Sequence, residues 1–437
     1  MLPKGWKVKN LSEVAYIQTG IAKGKKEVGD PVTFPYLRVA NVQDGYLDLQ
    51  EIKEITVSKQ QIERYLLQYK DILLTEGGDF DKLGRGYIWH GQINPCLHQN
   101  HVFAVRTNKD VLLPEFLSVL VSSFYGKKYF LSCAKQTTNL ATINSTQLKD
   151  FPVLIPPFSE QKKIAEILSS VDEAIASTQA VIDQTRKVKQ GLLQQLLTRG
   201  IGHTRFKESA IGTIPEQWTV KLLQDLATIQ TGLAKGKKIQ GDSLKLPYLR
   251  VANVQDGYLD LSEIKMIEVA PKDMDRYCLK PGDVLLTEGG DLDKLGRGDI
   301  WRGQIEVCLH QNHIFAVRPN FNVLLSEFLA FQTSSNYGKQ YFLTCGKQTT
   351  NLASINSTQL KNFPVILPPI SEQKEIVEVL NSIRSNELAA VQELESLEKL
   401  KHGLMQDLLT GRVRVGVTPN QQIRVKDADA TVYALKP

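Results

Sequence analysis

Cys96-x-His98-x-x-His101 recurs as Cys308-x-His310-x-x-His313, so ligand-type side chains stand in threes at two places in the chain. Thiolate and imidazole suit zinc, but a closed site needs a fourth ligand. In an extended segment running into Val102-Phe103, His98 and His101 also fall on opposite faces, because side chains alternate along a strand. A strand edge with polar flanks is the expectation. Glu76, Asp79 and Asp81 repeat as Glu288, Asp291 and Asp293, in a glycine-rich frame that does not match a calcium loop and reads as a solvated turn. Gly20-x-x-x-Gly24-Lys25-Lys26 is one residue short of a phosphate loop and lacks the Ser or Thr after its lysine. Ile155-Pro156-Pro157-Phe158 has the outline of the Pro-Pro-aromatic core of amino-methyltransferases without its leading Asp, Asn or Ser, and the second copy reads Leu367-Pro368-Pro369-Ile370. A strand-to-helix hinge is expected there. No Gly-x-Gly-x-x-Gly follows a strand to hold a dinucleotide, and no nucleophile, general base or metal centre emerges.

What recurs instead is polar and cationic. The first copy offers Lys23, Lys25 and Lys26, then Arg38 and Asn41, Lys82 and Arg85, and the run Lys135, Gln136, Thr137, Thr138 and Asn139. The second offers Lys235, Lys237 and Lys238, Arg250 and Asn253, Lys294 and Arg297, and Lys347, Gln348, Thr349, Thr350 and Asn351. Lysine and arginine suit phosphate contacts, which set affinity and register, whereas Gln, Asn, Thr and Arg suit base edges, which set sequence choice. These are the candidate DNA-binding residues, and a solvated loop is the competing reading of the same stretches.

These positions belong to a duplication. Thr19 to Gly24 returns as Thr231 to Gly236, Pro35 to Leu49 as Pro247 to Leu261, and Lys135 to Leu140 as Lys347 to Leu352, each 212 positions on. The period is far above the roughly 20–50 residues of stacked repeats, so 437 residues are two copies of one domain. A net charge of +6 and a pI near 8.8 favour a polyanionic partner mildly. There is no signal-peptide pattern and no run of about 18 apolar residues. Five cysteines include no Cys-x-x-Cys; a cytoplasmic protein without membrane contact is expected.

Short apolar or β-branched runs at Tyr36 to Ala40, Ile72 to Leu74, Tyr87 to Trp89 and Val102 to Val105 predict strands. Ser58 to Tyr65 and Pro114 to Tyr125 predict helices. After Pro156-Pro157, Ser159 opens about 40 residues without proline, roughly 60 Å of helix. Ile164, Leu168, Val171, Ile175, Ile182, Leu192 and Leu196 mark a coiled-coil seam, interrupted by Thr178, Thr185 and Lys189. Ile376, Leu380, Ile383, Ala390, Leu394, Leu397, Leu404 and Leu408 mark its counterpart. Each stripe is too long for one small domain, so the two helices are expected to pair. The fold class is α+β: two similar mixed α/β domains separated by two long helices.

Two such units, each opening with Leu2-Pro3-x-Gly5-Trp6 or Ile214-Pro215-x-x-Trp218 and closing with Pro-Pro-x-Ser-Glu-Gln (156–161, 368–373) and a helix ending Gln-x-Leu-Leu-Thr (194–198, 406–410), resemble the specificity subunit of type I restriction-modification enzymes. The resemblance implies target recognition domains over 1–158 and 214–370, spacer helices over 159–199 and 371–410 paired as an antiparallel, pseudo-two-fold coiled coil, a linker over 200–213 and a tail over 411–437. It implies a non-catalytic subunit that reads a bipartite sequence in double-stranded DNA. Modification subunits would bind S-adenosylmethionine and methylate adenine N6, and restriction subunits would bring ATP, Mg and site-specific cleavage, so this chain needs no cofactor. The family's two recognition domains usually differ; here they are near copies, which points to similar half-sites in inverted orientation. Tyr87/Asp299, His90/Arg302, Asn94/Glu306 and Phe80/Leu292 let the halves diverge. The rival readings are a specificity subunit of another restriction or methylation system, a protein-interaction scaffold, and an enzyme.

Overall fold

The computed structural model describes residues 2–22, 30–78, 80, 83–136, 140–234, 236, 241–291, 295–348 and 352–416. The chain divides into two compact units, residues 1–178 with 393–437 and residues 179–392. This division differs from the linear repeat. The long helices Phe158–Arg199 and Ile370–Leu408 are each cut by it, so each unit holds one recognition domain and half of each helix.

In the first unit an antiparallel sheet runs Ala15–Thr19, Val102–Thr107, Ile72–Thr75, Gly86–Ile88. Its central strands are apolar at consecutive positions because both faces are covered, and the two-residue side-chain period sorts them. Ile72, Leu74, Phe103 and Val105 pack with Phe116, Leu120 and Phe130 from the helices Pro114–Ser122 and Phe124–Cys133. Leu73, Val102 and Ala104 pack on the other face with Leu37, Val42, Leu67 and Trp89. The strand Pro31–Leu37 pairs antiparallel with Lys53–Ser58 and parallel with Leu97–His98. Gly77–Gly78, Ala141–Thr142 and Lys135–Gln136 make a small third sheet.

Two local expectations change. The strand expected to Ala40 stops at Leu37, and Val39–Asn41 is a 3-10 turn. The helix expected over Pro114 to Tyr125 is two helices: Ser123 is extended (ψ 167°) and its hydroxyl accepts the Gly126 N–H at 3.3 Å, an N-cap that starts a new helix. A Cβ at Gly126 would lie 2.2 Å from the Val121 carbonyl oxygen, so only glycine allows the restart at this distance.

The second unit repeats the plan: Ala227–Thr231, Ile314–Pro319, Val284–Thr287 and Gly298–Ile300 form its main sheet. It adds a hairpin, Phe206–Ser209 with Gly212–Pro215, which spans the end of the segment expected to be a linker and the start of the second domain.

Within each unit the helix halves run antiparallel. In the first, Ile164 and Leu168 share a core with Leu408 and Leu409, and Lys401 meets Asp172 at 2.6 Å. In the second, Leu196 and Leu197 share a core with Ile376 and Leu380, and Glu387 accepts from Arg186 and Lys189, both at 2.9 Å. The interruptions Thr178, Thr185 and Lys189 stay on the inward face, buried or half-buried, and Lys189 does so by reaching Glu387. In each unit a mixed α/β domain thus rests on a pair of helix halves.

The Glu-Gln that opens each helix is a latch. The Gln161 amide accepts the Leu113 N–H at 2.9 Å and donates to the carbonyls of Val111 and Pro156 at 2.9 and 3.0 Å. Glu160, 1% exposed, accepts the Trp6 indole N–H at 3.1 Å and the Arg414 guanidinium at 2.7 and 2.9 Å. Gln373 repeats the first arrangement on Leu325, Val323 and Pro368. Glu372 accepts from Trp218 at 2.8 Å and meets His203 at 2.7 Å. A buried carboxylate needs such partners, which accounts for Trp6 and Trp218 recurring with Pro-Pro-x-Ser-Glu-Gln. Among the described residues no helix is long and apolar enough to cross a membrane.

Candidate nucleic-acid interface

One chain of backbone hydrogen bonds ties together the roots of the cationic and polar stretches. Ile21 N–H donates to the His98 carbonyl at 2.8 Å, Asn100 N–H to Ile21 at 2.9 Å, Glu76 N–H to His101 at 2.9 Å and Ile143 N–H to Glu76 at 2.8 Å. From Glu76 the ladder continues through Gly77–Gly78 to Ala141–Thr142 and on to Lys135–Gln136. Gly20 lets the first strand come this close, since a Cβ there would lie 2.1 Å from the His98 carbonyl oxygen. The second unit roots its counterparts alike, through Leu233, His310, Asn312, His313, Glu288 and Ile355.

Lys23, Lys25, Lys26, Lys82, Thr137, Thr138 and Asn139, with Lys235, Lys237, Lys238, Lys294, Thr349, Thr350 and Asn351, lie outside the described residues, as do Asp79 and Asp81. Lys135, Gln136 and Lys347 are exposed, and Lys347 and Gln348 form a strand. The Gln136 amide donates to the Leu131 carbonyl at 3.0 Å.

Asn41 and Asn253 are corrected. Each is 3% exposed. Asn41 accepts the Arg38 N–H at 2.9 Å and donates to the carbonyls of Asp48 and Glu51 at 2.9 and 3.0 Å. Asn253 does the same with Arg250, Asp260 and Glu263. Their amides fold the chain after the 3-10 turn and present nothing to a ligand. Arg85 and Arg297 are half-buried and donate to the carbonyls of Val39 and Val251 at 3.2 and 3.4 Å, bracing the same turn. Arg38 pairs with Glu51 at 3.7 Å and Arg250 with Glu263 at 3.3 Å; both are partly exposed beside these roots.

The Cys-x-His-x-x-His segments hold no cluster. Cys96 is buried, with its thiol pushed up to about 12 by burial. His98 is fully buried and donates from Nδ1 to the Val102 carbonyl at 2.7 Å; burial brings its pKa down to about 4, so it is a neutral core residue. His101 points the other way, 54% exposed, and contacts the Glu76 carboxylate. Among the described residues, no group of three or more His, Cys, Asp or Glu is placed to hold a metal ion. Sequence spacing missed the Glu76–His101 contact, because the partners stand 25 positions apart and meet only through the fold.

Residues 3–185 and 215–399 both match the family described as type I restriction modification DNA specificity domain. The chain is 28% identical over 433 residues to the type I restriction enzyme MjaVIII specificity subunit of Methanocaldococcus jannaschii, covering 95% of this chain and 94% of the relative. It is 25% identical over 388 residues to the EcoKI specificity subunit of Escherichia coli, covering 86% and 81%. The fold is similar to that of a chain solved under the description of complex assembly and conformational transition of the type I R-M system, with a TM-score of 0.59 at 18% identity, covering 94% of this chain and 100% of the other. It is also similar to the S subunit of the type I restriction-modification system from M. genitalium, with a TM-score of 0.54 at 13% identity, covering 93% and 99%. With the family matched over most of its length in two tandem copies, and with two α/β domains carried on paired helices, this chain belongs to the type I restriction-modification specificity family, as the non-catalytic, DNA-binding specificity subunit.

Proposed function

We propose that each domain reads one half of a bipartite DNA target whose halves resemble each other in inverted orientation, and that the paired helices set the spacer. The observation that supports this best is the common root: the same backbone network carries the same cationic and polar stretches in both units. The antiparallel run of the helix halves, within each unit, favours inverted half-sites. In this reading the lysines and Arg38 and Arg250 contact phosphate oxygens and fix register, while Gln, Thr and Asn side chains in the stretches after Lys135 and Lys347 meet base edges. Modification subunits dock on the helical frame, bind S-adenosylmethionine and flip the target adenine for N6 methylation; restriction subunits supply ATP-driven cleavage.

Co-purifying the chain with modification subunits and mapping the methylated motif by single-molecule sequencing tests the reading. A split motif with related, inverted halves is expected, and two unrelated halves would sink it. Duplex binding should weaken steeply with added salt, since phosphate contacts release counterions.

A further inference from the structure

The half-exposed member of each Cys-x-His-x-x-His segment is the middle of a hydrogen-bonded trio. His101 Nδ1 faces the Glu76 carboxylate and its Nε2 faces Asn100 Nδ2 at 3.2 Å. In the second unit the same contacts are 2.5 Å, from His313 to Glu288, and 3.4 Å, from Asn312. A carboxylate only accepts hydrogen bonds, so Nδ1 carries the proton, and the Nε2 contact holds the Asn100 amide with its NH2 group inward. The backbone is held as well, with Asn100 N–H on the Ile21 carbonyl at 2.9 Å and Glu76 N–H on that of His101 at 2.9 Å. Among the described residues, the Asn100 side chain is left with a carbonyl oxygen and one N–H unclaimed, side by side. That pair complements the N6–H donor and N7 acceptor of adenine in the major groove. Stability gives the trio little reason to exist, because polar side-chain contacts this exposed contribute only about 0–1 kcal/mol.

We propose that Asn100 and Asn312 each read an adenine, one in each half-site, and that His101 with Glu76 and His313 with Glu288 are positioning residues that set the carboxamide's orientation. This rests on the DNA-reading assignment above and adds the residue and the base. It separates Asn100 from Asn41, which is identical in type but buried and fully committed to the fold.

The experiment uses the full chain with its modification subunits and reads the methylated motif. The unaltered complex should show a fixed adenine in each half. Asn100→Ala should relax that position in one half only, with a loss of discrimination of about 10- to 100-fold, and Asn312→Ala should do the same in the other half. His101→Ala should relax the same position as Asn100→Ala, by less. Because each variant alters one copy, continued selectivity in the other half reports that the subunit is folded and assembled. Asn100→Asp, which keeps the shape and loses the donor, should move the preference from adenine toward cytosine. The proposal is overturned if Asn100→Ala leaves every position as selective as before, or lowers methylation of all sequences equally, as loss of a phosphate contact would. An unaltered complex with no split motif would instead overturn the DNA-reading assignment itself.

Discussion

The two units share a core and a loop root, and they differ where the recognition domain meets its helix halves. In the first unit Glu160 takes two hydrogen bonds from Arg414; in the second, His203 occupies that role on Glu372. Asp299, with its side chain 5% exposed, accepts from Arg302 and from Arg384 of the long helix, both at 3.3 Å, and Arg384 also reaches the Gly257 carbonyl. The first unit has Tyr87, His90 and Asp172 at those places. Tyr87 meets His90 edge-on at 5.9 Å, and Asp172 turns to Lys401 instead. Beside Arg384 the second unit holds a cleft of about 640 Å³, lined among others by Arg186, Asn381, Tyr258 and Leu388. The duplication is preserved at the loop roots and has diverged at the joint to the helices. The likeness of the loop roots and the anchoring of each domain on its helices are therefore separable properties.

The latches offer the largest effect. Glu160→Ala leaves a guanidinium and an indole N–H without their acceptor, and is expected to cost about 3 kcal/mol; Glu372→Ala should cost about 2 kcal/mol. Denaturant unfolding, with hydrogen exchange to assign each loss to its unit, measures both. Equal losses would show that Arg414 closes its unit no more firmly than His203 does.

Acidification affects what the units share. Burial holds His98 near 4, and His310 is lowered for the same reason. Between the unfolded value of about 6.5 and the folded one, only the unfolded chain takes up the proton, so this stability is complete above pH 6.5 and is lost as pH falls toward 4. For His98 the loss at pH 5 is about 2 kcal/mol. His98→Gln and His310→Gln should each flatten the pH dependence of their own unit, and a slope confined to one unit would contradict the shared core.

The duplication and the helix stripes were legible because repeats and seven-residue patterns are local signals. Trp6 meeting Glu160 was not, since nothing nearby marks a pairing across 154 positions. Asn41 had the composition of a base reader, yet residue type alone cannot distinguish an amide that folds a turn from one facing solvent. His101 drew notice as a metal ligand because its spacing suggested one, whereas its partner Glu76 arrives from the bend between Thr75 and Gly77. The break at Ser123 was hidden because Ser and Gly inside an apolar run resemble a helix interior until Gly126 is seen against the Val121 carbonyl.

Asp299→Ala should cost about 1–2 kcal/mol, by leaving Arg384 and Arg302 without their shared acceptor. Its signature is local: faster hydrogen exchange around Gly257 and Ile300, with the first unit unchanged. Converting the joint to the first unit's residues, Asp299→Tyr with Arg302→His, should leave Arg384 without its carboxylate, so Arg384→Asp added to that pair should recover part of the loss. If the triple variant is no more stable than the double, the Arg384–Asp299 tie is not what distinguishes the joints.

The smallest difference lies between the helix halves themselves. Burial alone would raise the Glu387 carboxyl, but hydrogen bonds from Lys189 and Arg186 outweigh it and leave it lowered; its side chain is 15% exposed. Asp172, at 45% exposed, has one lysine. Glu387→Gln is accordingly expected to cost about 1 kcal/mol and Asp172→Asn no more than about 0.3 kcal/mol, since screening by water removes most of an exposed pair's contribution. Salt should narrow the gap, because the more exposed pair has little left to lose while Glu387 still faces two cations. Measured in low and in 1 M salt, a gap that widens would mean that Glu387 acts through packing on the seam and not through its charge.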